Sequence, residues 1–417
     1  MSTVPVSAPA GRNDRVQTLD GYQSYSYLEP GADYQAFSFP DPLDRVERHE
    51  IGLSEEEEER SYRLRRDCIK ISLHDHLCVF PDPVAQTPEY VREGRVSTAY
   101  AGLVDCACDA VFDALLDGLC QIESKSGWKW DDVIHDLGMR LCDFAHQDLV
   151  IVARRVEDIR RAHREGKIAW IANLEGAAMI ENELDRIEIL YGLGIRSMGI
   201  TYSEANALGS GLKEPNDGGL SVFGRRAVER MNKVGMLIDC SHAGDQTSLD
   251  TIQASTKPIV ISHIGARALW DSNRLAPDDV IKACADKGGV IGIEAAPHTT
   301  ITRSTPEHSI DSYMEHFEYI LDLVGIDHVG FGPDTVYGDH VGLHRLYAGG
   351  LAIEESRKGA AGGSEEFPRV EYVRGLENPT EASNNILRHL VKHGYSDEQI
   401  EKVIGGNALR LLEEVWY

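Results

Sequence analysis

The sequence predicts an α/β fold, a (β/α)8 barrel, and three observations carry it. Short β-branched apolar runs recur along the chain, segments of helical period separate most of them, and glycine closes several of those segments. Near-continuous apolar strands alternating with helices imply a parallel sheet covered on both faces. Eight such units imply a closed barrel rather than an open doubly wound sheet. No GxGxxG follows the first run, which argues against a dinucleotide-binding fold.

Taken in order, residues 1–62 read as a polar N-terminal extension ending in the acidic run Glu55–Glu59, a solvated face with some helical character. The barrel is expected over 63–417. Its strands are expected at 69–73, 97–103, 168–172, 197–201, 236–239, 258–262, 289–293 and 328–331. Helices are expected at 156–165, 183–191, 223–233, 245–254, 277–286 and 310–324. Their stops are Gly166, Gly192 or Gly194, Gly235, Gly288 and Gly325. Two long insertions, about 104–150 and 335–378, break the rhythm, and loops of that length are usually functional or mobile. Two helical segments, 380–393 and 396–416, end the chain, the second with Ser396 as N-cap.

Composition excludes several classes. Acid outweighs base by 68 to 42, a net charge of -26, so neither nucleic acid nor an anionic membrane finds the basic face it needs. The first fifteen residues lack the apolar core of a secretory signal, and no run of eighteen apolar residues is present. The eight cysteines form no CxxC pair, and Cys106-Ala-Cys108 is only CxC, so they read as reduced thiols of a cytoplasmic protein.

Metal-capable side chains cluster just beyond the predicted strands. His74 and His76 follow the first, Glu175 the third, His242 the fifth, His263 the sixth and Asp334 the eighth. In a parallel barrel these ends open on one face, so residues far apart in sequence converge there. Neutral imidazoles and carboxylates suit zinc, as one or two ions. In His74-x-His76 the spacing puts both side chains on one side of an extended strand, with Asp75 on the other. Two ions need a bridging carboxylate, and Glu175 is the candidate. One such histidine means little; four histidines and two acids beyond five strands discriminate.

These residues resemble the renal (membrane) dipeptidase family, the M19 metallopeptidases of the amidohydrolase superfamily. The likeness runs over about 65–415 and is strongest in Gly219–Gly224, Gly235–His242, Pro258–His263, Arg274–Asp279 and Gly330–Asp334. It implies that His74 binds a first metal, Glu175 bridges, and His242 and His263 bind a second. It implies further that Arg274 clamps a substrate carboxylate and that Asp334 holds and deprotonates the attacking water. Small-molecule dipeptide substrates and a homodimer are implied by the same likeness. Two positions depart from the family: His76 stands where an aspartate is usual, removing a negative charge, and Tyr202 stands where a histidine supports the oxyanion. A tyrosine hydroxyl still donates a hydrogen bond but carries no positive charge.

The leading expectation is therefore hydrolysis of a small amide, a dipeptide or dipeptide-like molecule, by metal-activated water. Those departures leave open an N-acyl amino acid, a lactone or a non-hydrolytic lyase or decarboxylase substrate on the same barrel. A catalytically silent binding barrel is the alternative from another class. At single positions, Arg274 can instead pair with Asp271 or Asp278, and Tyr202 can be core packing. His298, His340 and His344 can line the pocket or stabilise their loops.

Overall fold

The computed structural model describes residues 15, 17–115, 129–296, 299–338, 340, 372–378 and 381–417. Nine parallel strands form its sheet: β1 (Ile71–Asp75), β2 (Ala110–Leu115), β3 (Val150–Val152), β4 (Ile168–Leu174), β5 (Ile195–Gly199), β6 (Leu237–Asp239), β7 (Val260–Ile264), β8 (Val290–Ile293) and β9 (Val329–Phe331). The order is β1-β2-β4-β5-β6-β7-β8-β9, with β3 paired only to the edge of β4. The ring closes just past the ends of β1 and β9. There Asp334 donates its N–H to the His74 carbonyl at 3.0 Å and His76 to the Thr335 carbonyl at 2.8 Å. This is the expected barrel.

Helices cover the outside. Those with a place in the argument are α1 (Glu55–Asp67), α2 (Trp130–Phe144), α3 (Val156–Glu165), α4 (Arg186–Leu193), α5 (Val222–Val234), α6 (Asp245–Ala254), α7 (Asp278–Asp286), α8 (Ile310–Val324), α9 (Glu381–Lys392) and α10 (Asn407–Val415). Gly166, Gly194, Gly235 and Gly325 cap α3, α4, α5 and α8 at positive φ, as the sequence predicts. The acidic run forms the first turn of α1, where carboxylates suit the positive end of the helix dipole and Ser54 and Glu57 complete a capping box. α1 runs through position 62 and docks on α9, through Arg388 and Glu58.

One predicted strand is wrong. Residues 97–103 hold a short helix, Tyr100–Asp105, and the second strand is β2 at 110–115. Ala99, Ala101 and Leu103 favour a helix once no partner strand orders them, and Gly102 is tolerated within it. Asp113 disguised β2 by placing a charge in an apolar run. Its outward side chain is buried and satisfied, accepting from Arg140 of α2 at 2.9 Å and from the Trp170 indole at 2.7 Å.

Alternation along the strands separates two cores. Ile71, Leu73, Ala110, Phe112, Ala169, Ile171, Leu237, Val260 and Val290 fill the barrel, closed at one end by Leu411, Leu412, Val415 and Trp416 of the C-terminal helix. The intervening residues, Trp170 and Leu174 among them, pack under the helices. With one end plugged, the other end is the mouth. No helix among the described residues is long and apolar enough to cross a membrane.

Candidate metal centre

The mouth is built by continuing the inward rows. In β4 the row Ala169, Ile171 turns polar at Asn173 and reaches Glu175 one residue past the strand. In β1 the register slips between Ser72 and Asp75, so His74 and His76 both face the mouth, while Asp75 turns away and accepts from the Thr335 N–H and hydroxyl. Asp334 arrives with the seam that closes the ring. Gly332 makes that seam possible, since a Cβ there would lie 2.1 Å from the Ser262 carbonyl oxygen. His242 and Asp334 both sit at positive φ, 61° and 60°. For non-glycine residues that costs about 1–3 kcal/mol, and such strain gathers at functional sites.

The six predicted ligands meet. His74 Nε2 lies 3.5 Å from Glu175 Oε1 and 3.5 Å from Asp334 Oδ1. His242 Nε2 and His263 Nε2 lie 3.0 and 3.4 Å from the same Glu175 oxygen, and 2.9 Å from each other. His76 Nε2 is 3.2 Å from Asp334 Oδ1. One ligand atom each from His74, Glu175, His263 and Asp334 falls within 4.8 Å of all the others.

The donors suit a divalent cation. Burial brings His74 down to about 3, despite the pull of Asp334, and holds His242 and His263 well below the ordinary imidazole range. They are neutral, the form that binds metal. Burial pushes Glu175 up to about 8, and the attraction of His76 and Arg274 does not offset it, so the protein alone leaves this carboxylate's charge under-compensated. His74 Nε2 and Glu175 Oε2 are buried without a hydrogen-bond partner. Asp334 differs: burial opposes its charge, but His76 donates to it and the histidines and Arg274 hold it below the usual carboxylate range. Burial also works against a charged His76, but Asp334 and Glu175 outweigh it and bring the imidazole up to about 9.

Beneath the histidines lies a support that the sequence reading missed. Asp239 Oδ1 accepts from the Ser241 N–H, the Ser241 hydroxyl and the Ser262 N–H, while Oδ2 accepts from the Ser262 hydroxyl. With its proton on Asp239, Ser262 Oγ can only accept from His263 Nδ1, 2.8 Å away. That fixes the tautomer and leaves a lone pair on Nε2, facing Glu175. Asn173 does the same for His74. Its side-chain nitrogen lies 3.4 Å from His74 Nδ1 and its Oδ1 is orphaned, so exchanging the two amide ends gives Nδ1–H an acceptor and frees Nε2.

Arg274 reaches the mouth rather than Asp271 or Asp278. Its Nη2 is 2.5 Å from Glu294 and 3.8 Å from Asp334, and Nη1 donates to the His263 carbonyl. Glu294 was also missed. It follows β8 directly, the same position after an apolar run that selected Glu175. Burial pushes it up to about 7 against the pull of Arg274. The Tyr202 ring stacks on His242 with centroids 4.3 Å apart, so it borders the site. His340 is buried against Glu377 at 3.3 Å. His298 and His344 lie outside the described residues.

With this geometry established, likeness to known proteins is informative. The model of the membrane dipeptidase family (peptidase family M19) matches residues 121–344, more than half of the chain. The chain is 28% identical over 283 residues to dipeptidase tcpJ of Claviceps purpurea, covering 67% of this chain and 58% of that protein. It is 28% identical over 337 residues to dipeptidase verJ of Clonostachys rogersoniana, covering 78% and 75%. Dipeptidase 3 of Rattus norvegicus is 26% identical over 321 residues, covering 73% and 58%. The chain thus spans under two thirds of the length of two of these relatives. Among solved structures, an amidohydrolase from Pseudomonas aeruginosa superposes with a TM-score of 0.68 at 26% identity, covering 85% of this chain and 99% of that one. A metallopeptidase from Rhodobacter sphaeroides shares the fold, with a TM-score of 0.64 at 20% identity over 84% and 100%. On the extent of the family match, with a buried histidine and carboxylate cluster at the mouth of the barrel, this chain belongs to the membrane dipeptidase family, peptidase family M19.

Proposed function

We propose that this protein is a metal-dependent hydrolase of small amides, with a dipeptide or dipeptide-like substrate and zinc as its metal. The observation that carries the reading is the meeting of His74, Glu175, His263 and Asp334, from four different strand ends, within 4.8 Å. His74, His76, Glu175, His242, His263 and Asp334 would hold one or two ions. When bound, such ions supply a polarised substrate carbonyl and a more acidic water.

The chain's own residues then divide the remaining work. Asp334, ionised and at the seam, accepts the proton of the attacking water and passes it to the leaving amine. Arg274 orients the far end of the substrate. Tyr202, stacked on His242, donates from its hydroxyl to the developing oxyanion. His76 supports a second reading, a substrate other than a dipeptide, because an imidazole there leaves the site with less negative charge than an aspartate would.

A reducing compartment and a homodimer belong to the same proposal. The seven cysteines described are free and six are buried. Exposed Ile189 and Leu193 of α4 and Val222 of α5 supply apolar surface on neighbouring helices. The test is a panel of dipeptides, N-acyl amino acids and lactones, given to chelator-stripped protein before and after zinc, manganese or iron. Metal-restored dipeptide cleavage supports the reading. Cleavage only of other members selects the second. No metal uptake and no turnover leave a silent barrel.

A further inference from the structure

Between β7 and α7 the turn Ser272–Leu275 carries Arg274, and the Leu275 N–H closes it by donating to the Ser272 carbonyl at 3.0 Å. Arg267 holds this turn from outside. Its Nε donates to the Leu275 carbonyl at 2.9 Å and to the Ser272 carbonyl at 3.2 Å, and its Nη2 reaches the Asn273 carbonyl at 3.5 Å. The carbonyls on both sides of Arg274 thus meet one guanidinium. The same guanidinium takes the Asp245 carboxylate bidentately, Nη1 to Oδ2 at 2.6 Å and Nη2 to Oδ1 at 2.9 Å. Asp245 opens α6, three residues past His242. The start of α6 is fixed in turn by Asp217, whose Oδ2 accepts from the Gln246 and Thr247 N–H groups at 2.6 and 3.2 Å. The side chains of Arg267 and Asp245 are 21% and 48% exposed, and ion pairs so exposed add little to stability. What these bonds set is geometry.

We propose that Arg267 is a positioning residue: it ties the turn carrying Arg274 to the helix that follows His242, and so sets the distance from the substrate-orienting guanidinium to the metal ligands. This rests on the amide-hydrolase reading, in which Arg274 orients the far end of the substrate. Buried Nη2 of Arg274 makes no hydrogen bond of ordinary geometry, so its place is set by the turn beneath it rather than by a bond of its own. Loosening the turn lets that nitrogen drift. Orientation is sensitive to such drift, since a displacement of about 1 Å can cost about 10²-fold in rate. Arg267 acts through Arg274 and does not itself meet the substrate. A lysine at 267 would keep the charge but lose the planar fork that joins three carbonyls to one carboxylate.

The experiment is a double-mutant cycle on metal-loaded protein, using the dipeptide that wild type cleaves fastest. Arg267→Ala is expected to lower kcat/KM about tenfold, or ~1.4 kcal/mol, chiefly through KM, with zinc content unchanged. Arg267→Lys should behave like the alanine variant. In an Arg274→Ala background there is no guanidinium to place, so adding Arg267→Ala should change kcat/KM by less than about twofold. A merely structural role would lower both backgrounds alike. Should Arg267→Ala not fold, Asp245→Ala cuts the same tie from the helix side and takes its place in the cycle. The inference is overturned by a single variant within about twofold of wild type, or by an about tenfold loss that persists in the Arg274→Ala background. If Arg274→Ala alone is impaired, only the inference falls. If Arg274→Ala turns over like wild type, the role given to Arg274 falls and takes the inference with it. Failure to cleave any dipeptide removes the amide-hydrolase reading and the inference together.

Discussion

Replacing Ser262 by alanine tests how the histidines are held. In the structure the Ser262 hydroxyl is buried and has three neighbours: it donates to Asp239 Oδ2, stands 2.8 Å from His263 Nδ1 and 3.2 Å from Ser241 Oγ. Asp239 keeps its three bonds to Oδ1 in the variant, but Oδ2 loses the donor described here, and His263 Nδ1 loses its acceptor. An unsatisfied buried polar group costs about 1–3 kcal/mol, so two predict a loss of about 2–6 kcal/mol in the metal-free protein. Metal affinity carries the sharper expectation. Without the fixed tautomer, the lone pair on Nε2 is no longer guaranteed, and losing such an outer partner typically weakens metal binding about 10–100-fold. Competition with a zinc chelator measures the second effect and urea unfolding the first. Ser255→Ala is the control: Ser255 is buried and hydrogen-bonded to Asn232 at the far end of α6. It should lose stability but keep its affinity. If Ser262→Ala binds zinc within about twofold of wild type, the tautomer argument is wrong, whatever happens to stability.

Two other outcomes follow from the same geometry. Asp334→Asn should lower kcat by about 10²–10⁴, the usual contribution of a general base, while metal content stays near wild type; full turnover would remove Asp334 from its role. Asp109 tests pH dependence away from the site. Burial opposes its charge, but Lys70, His163 and Arg15 bring it down to about 2 from an ordinary 3.8. Its folded value is depressed, so its stabilisation is complete above the unfolded value and is lost as pH falls from about 4 to 2, some 2 kcal/mol in all. Acid unfolding followed by circular dichroism should show that slope in wild type and a shallower one in Asp109→Asn; equal slopes would refute it.

Much of this was legible in the sequence because the signals were local. Seven of the eight expected strands and all six expected helices lie where apolar period and stop glycines put them, and the six candidate ligands stand at or just beyond the ends of those strands. β2 was not legible, because Asp113 reads as a surface charge until Arg140 and Trp170 are seen to satisfy it. The slip in β1 that brings His74 and His76 to the mouth depends on pairing with β2, which no window along the chain contains. Glu294 escaped because a lone acid after a strand means little until Arg274 is found 2.5 Å away. Ser262 and Asp239 escaped because their role is to orient a ligand, and only three-dimensional neighbours define it.

The most direct measurement is anomalous diffraction at the zinc edge from crystals grown with the metal. The account predicts density about 2.0–2.2 Å from His Nε2 and carboxylate oxygens drawn from His74, His76, Glu175, His242, His263 and Asp334, with Glu175 touching every ion bound. Zinc at full occupancy elsewhere on the chain, with this cluster empty, would contradict it.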